Sequence, residues 1–154
     1  MKKFVLAIIA LVATSAAVSA QEQGEWSVAP KFNIYTNTGD GVVLGLGAGM
    51  RYSITDAVRI EPSFIYMLDN HSALEIACDV HYVFDVADRW NVYPMAGLTA
   101  NNIYGWSSGV NLGAGVDFAI SDSWDITAAV KWQPMFADDR TNPVLIQIGG
   151  SFKF

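Results

Sequence analysis

The chain has 154 residues, a single cysteine and a formal net charge of −6 at pH 7. The length suits one domain, the lone cysteine excludes an intramolecular disulfide, and the excess of acids disfavours nucleic acid as a partner. Beyond residue 20 there is no apolar run of the roughly 18 residues that indicate a transmembrane helix.

Residues 1–20 have the composition of a secretory signal peptide. Two lysines precede an apolar run from Phe4 to Val12, and small residues end the segment at Ala20. A basic start, a short apolar middle and a small-residue cleavage site are typical of exported chains. We expect cleavage after Ala20, which removes two lysines, changes the net charge from −6 to −8 and leaves residues 21–154 as one domain.

From residue 26 onward, apolar and polar residues alternate at period two, which is typical of β-strands. Segments rich in glycine, asparagine, aspartate and serine separate the alternating runs. The predicted strands are 26–36, 42–53, 58–69, 74–85, 90–100, 109–120, 124–135 and 143–154. Their length of roughly 10–12 residues matches a tilted membrane-spanning strand, and an even strand number is the rule in bacterial barrels.

The two faces of these strands differ in character. Even-numbered positions carry no charge and, apart from Thr36, are apolar, aromatic, glycine, proline or cysteine. Odd-numbered positions hold the charges and many glycines. The charged and histidine residues predicted to face the interior are Lys31, Arg51, Arg59, Glu61, Glu75, Asp79, His81, Asp117, Asp125, Lys131 and Lys153.

Two environments fit this alternation. A secreted soluble β-domain would bury the even face and expose the charges, whereas a membrane barrel would turn the even face to lipid. Glycines on the charged face suit a narrow interior, and aromatic residues gather near the strand ends, as in the girdles of membrane barrels. The predicted girdle residues are Trp26, Tyr52, Tyr82, Trp90, Phe118, Trp124 and Trp132. We therefore predict an all-β fold, an eight-stranded antiparallel up-and-down transmembrane β-barrel.

Internal repetition indicates a meander of equivalent hairpins. The segment GAGMRYSITD at 47–56 is similar to GAGVDFAISD at 113–122, and Pro30, Pro62 and Pro94 recur at 32-residue intervals on the even face. Because proline cannot donate a ladder hydrogen bond, we expect bulges or broken ladders at these positions. A three-residue turn at 55–57 would place Arg51 opposite Glu61, which predicts an ion pair between them.

The last strand alternates apolar residues and ends in Phe152 and Phe154. Together with the export signal, the eight amphipathic strands and the tight turns, this pattern resembles the small outer-membrane β-barrels of the OmpA and OmpX type. The resemblance implies location in the bacterial outer membrane and contact with its lipid. It also implies that the barrel-assembly machinery reads the terminal strand through Phe154, with Phe152 before it. We expect a monomer.

An eight-stranded barrel has an interior just wide enough to be filled by side chains. Near-balanced charge in such a tube predicts a salt-bridged plug, since an unpaired buried charge costs several kcal/mol. We expect a structural or cell-surface interaction role for this barrel. The sequence offers no spacing of histidine, cysteine and acids for a metal site and indicates no cofactor or catalytic residue.

Three alternatives remain open at this stage. The first is a lipid-modifying outer-membrane enzyme of the acyltransferase or lipid A deacylase type, for which the segment 69–72, DNHS, supplies nucleophile, base and acid residue types. The second is a minor narrow pore. The third is a surface ligand bound at loop 101–108, where Tyr104 and Trp106 are favoured interface residues, although both rings would also suit the lipid interface.

Overall fold

The alternating sequence forms a closed antiparallel barrel in the computed structural model, which describes residues 22–39, 41–68, 73–103, 105–138 and 141–154. Its strands are β1 (Trp26–Thr36), β2 (Val43–Ser53), β3 (Val58–Leu68), β4 (Ala73–Tyr82), β5 (Phe84–Ala87), β6 (Trp90–Asn101), β7 (Ser107–Ala119), β8 (Trp124–Trp132) and β9 (Val144–Lys153). Apart from β4 and β5, which both pair with β6, consecutive strands pair, and pairing of β1 with β9 and of β4 with β6 closes the sheet. Among the described residues, no helix has the length and apolar character needed to cross a membrane.

The prediction of one strand over 74–85 was wrong in detail, because the structure interrupts it at Val83. β4 and β5 lie on either side of that residue and pair with β6 in one register, since His81 is opposite Met95 and Phe84 is opposite Val92. The amide of Val83 donates instead to the carbonyl of Ala57, at 2.7 Å. β4 and β5 therefore form one wall segment, and the barrel has eight strands as predicted.

Each of the three regularly spaced prolines lies at an interruption of the ladder, as expected. Register partners are missing at Pro30 between β1 and β9, and at Pro62 between β2 and β3. They are missing at Pro94 between β6 and the wall segment of β4 and β5. The register is the same on both sides of each interruption. Loss of a single N–H donor explains this pattern, because a missing donor removes a bond without inserting a residue.

Two further boundaries differ from the prediction by more than one residue. The strand predicted over 124–135 ends at Trp132, two residues before Pro134, which cannot donate to a ladder. The strand predicted from residue 109 begins earlier, at Ser107. Met135 keeps only an isolated bridge to Gly109.

Two hairpin turns at one end of the barrel are short and alike. Ile54 and Thr55 donate to the carbonyl of Val58 at 2.8 and 3.1 Å, and Ile120 and Ser121 donate to the carbonyl of Trp124 at the same two distances. The repeated sequence thus forms the same turn twice. We call this end, which also holds residues 22–25 and Phe154, the turn end, and the opposite end the loop end.

The predicted division of faces is confirmed by burial. In β1 the odd positions are buried up to Tyr35, while most even positions are exposed or half-buried. The same alternation runs through β3 and β4. An apolar even face therefore surrounds the barrel, and the odd face fills the lumen.

Candidate functional site in the barrel lumen

The lumen gathers the charged residues of the odd face. Ten of the eleven predicted interior residues are buried, and Lys153 is half-buried at the turn end. They comprise five bases, five acids and one histidine. Because charges removed from water need partners, the contacts among them define the site.

Glu61 and Asp117 are the two acids of an inner cluster. Glu61 accepts from both Lys31 and Arg51, so the predicted ion pair between Arg51 and Glu61 is present. Asp117 accepts from Arg59 at 2.7 Å and lies 3.4 Å from Arg51. Arg51 on β2 and Asp117 on β7 come from opposite walls, so this cluster spans the lumen.

An aromatic residue that sequence analysis missed completes the inner cluster. The Tyr93 ring stacks on His81 with centroids 4.7 Å apart, and the Arg59 guanidinium lies 4.5 Å from its centroid. Arg59 Nε also donates to His81 Nδ1 at 2.9 Å. Since an arginine is a donor only, the proton of a neutral His81 must be on Nε2. Tyr93 occupies an odd position, and this parity was the sequence signal that could have identified it as a lumen residue.

A second cluster lies nearer the loop end and joins β4 to β7 and β8. Asp79 accepts from Lys131 and, at 2.7 Å, from the Asn111 amide. Gln133 Nε2 donates to Asn111 at 2.9 Å and to Glu75 at 3.1 Å. Asn111 and Gln133 were also missed, although both stand at odd positions and Gln133 follows Lys131 on the same face.

The remaining predicted pair lies at the turn end. Lys153 Nζ is 3.1 Å from Asp125 Oδ1, and their side chains are 16% and 5% exposed. This pair is separate from the two inner clusters, and it is the one reached most readily by solvent.

Glycines make room for these side chains. A Cβ at Gly97 would collide with Asp79 and with the Cys78 carbonyl, and a Cβ at Gly115 would collide with the Tyr93 ring. At Gly49 it would lie 2.9 Å from Glu61 Cγ. The glycines of the charged face therefore permit the close approach that a narrow lumen needs.

An apolar layer occupies the lumen at the loop end, which the sequence analysis did not anticipate. Its side chains come from the loop-end parts of β1, β2, β3, β4 and β9, and Ile103 packs against them. The members are Tyr35, Val43, Ile65, Met67, Ala73 and Leu145. All stand at odd positions, for which the sequence analysis had considered only the charged residues, the histidine and the glycines.

Glu61, Asp79 and His81 offer ligand atoms within 4.8 Å of one another. These atoms already have cationic partners, because Glu61 pairs with two bases, Asp79 with Lys131, and Nδ1 of His81 with Arg59. A divalent cation would add charge to a group that is neutralised internally. The arrangement fits an ion-pair network better than a metal site.

The lipid-facing rings form pairs near the turn end. Their centroids lie 4.6 Å apart in Trp26–Tyr52, 4.7 Å in Tyr82–Phe84 and Trp90–Phe118, and 5.0 Å in Trp124–Phe152. Trp132, which is 47% exposed, lies on the outer face at the loop end, opposite these pairs. Phe154 is exposed, and its ring centroid is 6.4 Å from that of Phe152.

The loop-end candidates are only partly described. The segment 69–72 and Tyr104 lie outside the described residues, as does the predicted signal peptide. Trp106 is 61% exposed, whereas Ile103 in the same loop turns to the apolar layer. The predicted surface loop thus divides into an exposed and an inward part.

Comparison with known proteins gives a consistent result. A family model described as the outer membrane protein beta-barrel domain matches residues 4–154. The N-terminal β-barrel domain of OprF from Pseudomonas aeruginosa is similar, with 19% identity and a TM-score of 0.74, over 87% of this chain and all of that one. No match to a curated protein sequence was found.

Two other solved structures share the fold. A de novo designed transmembrane β-barrel has 16% identity and a TM-score of 0.66, over 87% of this chain and 98% of that one. Ail of Yersinia pestis has 14% identity and a TM-score of 0.61, over 86% of this chain and 99% of that one. At such identities the likeness concerns the fold, and function must be argued from the site.

Proposed function

This chain belongs to the outer membrane protein beta-barrel domain family and is an outer-membrane β-barrel, and from that premise we propose that it is a non-conducting barrel with a structural or cell-surface interaction role. Its exposed apolar face contacts membrane lipid, and the turn end faces the periplasm. We further propose that it acts as a monomer and that Phe152 and Phe154 mark its last strand for the barrel-assembly machinery.

One observation carries the proposal: ion pairs cross the lumen between opposite walls. Arg51 on β2 reaches Asp117 on β7, and Lys131 on β8 reaches Asp79 on β4. Paired, neutralised side chains in so narrow a barrel support a lumen that is closed to a continuous aqueous path. Opening one would separate buried charges at a cost of several kcal/mol per ion.

Conductance measurement tests this role against that of a narrow pore. The barrel is refolded and inserted into planar phospholipid bilayers in KCl at about 1 M, a concentration at which surface charges are screened. We expect no unitary current steps from the barrel, with a general porin as the positive control. Reproducible steps that scale with the amount of inserted barrel would establish the pore instead.

A lipid-modifying activity is the alternative in the enzyme class. The described lumen charges are engaged in ion pairs with one another, and the segment 69–72 lies outside the described residues. Incubation of the purified barrel with lipid A, followed by mass spectrometry, separates the two roles. We expect unchanged lipid A, whereas loss or gain of an acyl chain would support an enzyme.

Surface binding is the second form of the proposed role. A crystal structure of Ail contains the heparin analogue sucrose octasulfate, but this chain is acidic, which disfavours a polyanion. The exposed Trp106 at the loop end is the better contact candidate, since tryptophan is enriched in binding hot spots. The amounts of labelled cells or matrix that the barrel and its Trp106→Ser variant retain are compared. The difference measures the contribution of Trp106 to surface binding.

A further inference from the structure

The apolar layer closes the lumen at the loop end. Tyr35, Ile65, Met67 and Leu145 are all 0% exposed, although each lies near the loop end of its strand. These side chains come from one side of the barrel wall, formed by β1, β3 and β9. The other side of the layer is supplied by Ile103, from the connection between β6 and β7.

Asn102 holds Ile103 in that place. Its backbone amide donates to the Leu74 carbonyl at 3.1 Å, and its side-chain oxygen accepts from the Leu74 amide at 2.6 Å. Leu74 belongs to β4, so both bonds tie the β6–β7 connection to the neighbouring strand. Backbone and side chain of one residue together extend the β4–β6 ladder by one step.

We propose that Asn102 and Ile103 form a latch that seals the lumen from the loop end. An apolar constriction excludes water and the ions that require it, so the polar clusters beneath the layer are isolated from this side. At the turn end the lumen lining is polar instead, with Ser27, Ser151 and the half-buried Lys153. The seal against the cell exterior is thus apolar, and the ion pairs lie behind it.

This inference rests on the proposed membrane role only for the statement that the loop end faces the exterior. The latch itself is a property of the folded barrel. It also bears on the pore alternative, because both the latch and the ion pairs would have to open for conduction.

Cysteine accessibility tests the latch. Ala77 faces the lumen below the layer, is 3% exposed and follows Ala73 and Glu75 along β4. Ala77→Cys is made in a Cys78→Ala background and reconstituted in phospholipid nanodiscs. Its reaction with a charged, membrane-impermeant methanethiosulfonate is compared with that of Asp138→Cys, whose parent residue is an exposed polar residue of the connection between β8 and β9. We expect the reporter at 77 to react far more slowly than the one at 138.

Adding Asn102→Ala should then accelerate labelling at 77 by about tenfold, the effect of losing about one net hydrogen bond from the closed state. Ile103→Ala should act in the same direction, since it removes the apolar contact instead. The matched control is Asn142→Ala, because Asn142 also accepts a loop-end backbone N–H, that of Met135 at 3.1 Å, outside the latch. It should leave labelling at 77 unchanged.

The latch is refuted if the 77 reporter reacts as fast as the 138 reporter in the otherwise unchanged barrel. It is also refuted if Asn102→Ala and Ile103→Ala have no larger effect than Asn142→Ala. Each variant is first checked by the heat-dependent gel shift of a folded barrel. Failure of the membrane role would show separately, as a β-folded monomer that stays soluble without detergent.

Discussion

The ion pair between Lys131 and Asp79 offers the sharpest test of the lumen network. The change consists of Lys131→Met, Asp79→Asn and the two together. Both residues are buried, at 1% and 0% side-chain exposure, and they join β8 to β4. Methionine keeps most of the length of the lysine stem, and asparagine keeps the shape of the aspartate.

The structure sets the expected magnitudes. Lys131→Met leaves the Asp79 carboxylate with the Asn111 amide, 2.7 Å away, as its remaining hydrogen-bond donor. Asp79→Asn leaves the Lys131 ammonium buried without its counter-ion. Each single change should cost about 3–5 kcal/mol of unfolding free energy. The double variant strands no charge and should cost about 1–3 kcal/mol, so the pair should be coupled by at least about 3 kcal/mol.

Urea unfolding of the barrel in lipid vesicles measures these values, followed by tryptophan fluorescence and by the gel shift. The control is the pair of Lys153 and Asp125, whose atoms are 3.1 Å apart and whose lysine side chain is 16% exposed. The analogous changes there should show weaker coupling than those at Lys131 and Asp79, because solvent reaches the lysine and screens the pair. Additive losses for Lys131 and Asp79, or equal coupling in both pairs, would refute a buried network that depends on mutual neutralisation.

The remaining predictions concern the faces and the last strand. Leu46→Arg places a charge on the lipid face and should destabilise the barrel in a bilayer by about 2–4 kcal/mol. A similar loss of stability in a barrel that is folded without lipid would contradict the assignment of the even face to lipid. Gly113→Ala should cost about 1–3 kcal/mol by overpacking, because its Cβ would collide with the Val130 carbonyl; unchanged urea midpoints would show that the wall can adapt. Deletion of Phe154, whose amide donates to the Trp26 carbonyl at 3.0 Å, should lower assembly in the outer membrane far more than stability after refolding in detergent. Equal small effects in both assays would make its ring an ordinary membrane anchor.

Period-two alternation was enough to predict the strands and their two faces, whereas the glycines and aromatic residues were needed to favour a membrane barrel. Side chains of a strand point alternately to its two faces, so the even and odd positions could be assigned before any pairing was known. The three prolines likewise predicted broken ladders, because the missing N–H is a local property. The place where the break at Pro94 falls in the partner strand, at Val83, was not predicted, since it depends on Tyr82 lying opposite Pro94 in a strand that comes later in the chain.

The sequence by itself determined the strand number, the two faces and the residues that enter the lumen, because these follow from local alternation and turn chemistry. Only the closed tertiary structure decided which lumen residues meet. Arg51 and Asp117 are 66 residues apart, and Gln133 reaches Glu75 across 58, distances that strand order and stagger around the barrel set together. The apolar layer with Ile103 arises in the same way, since its side chains come from strands at both ends of the chain and become neighbours only when β1 pairs with β9.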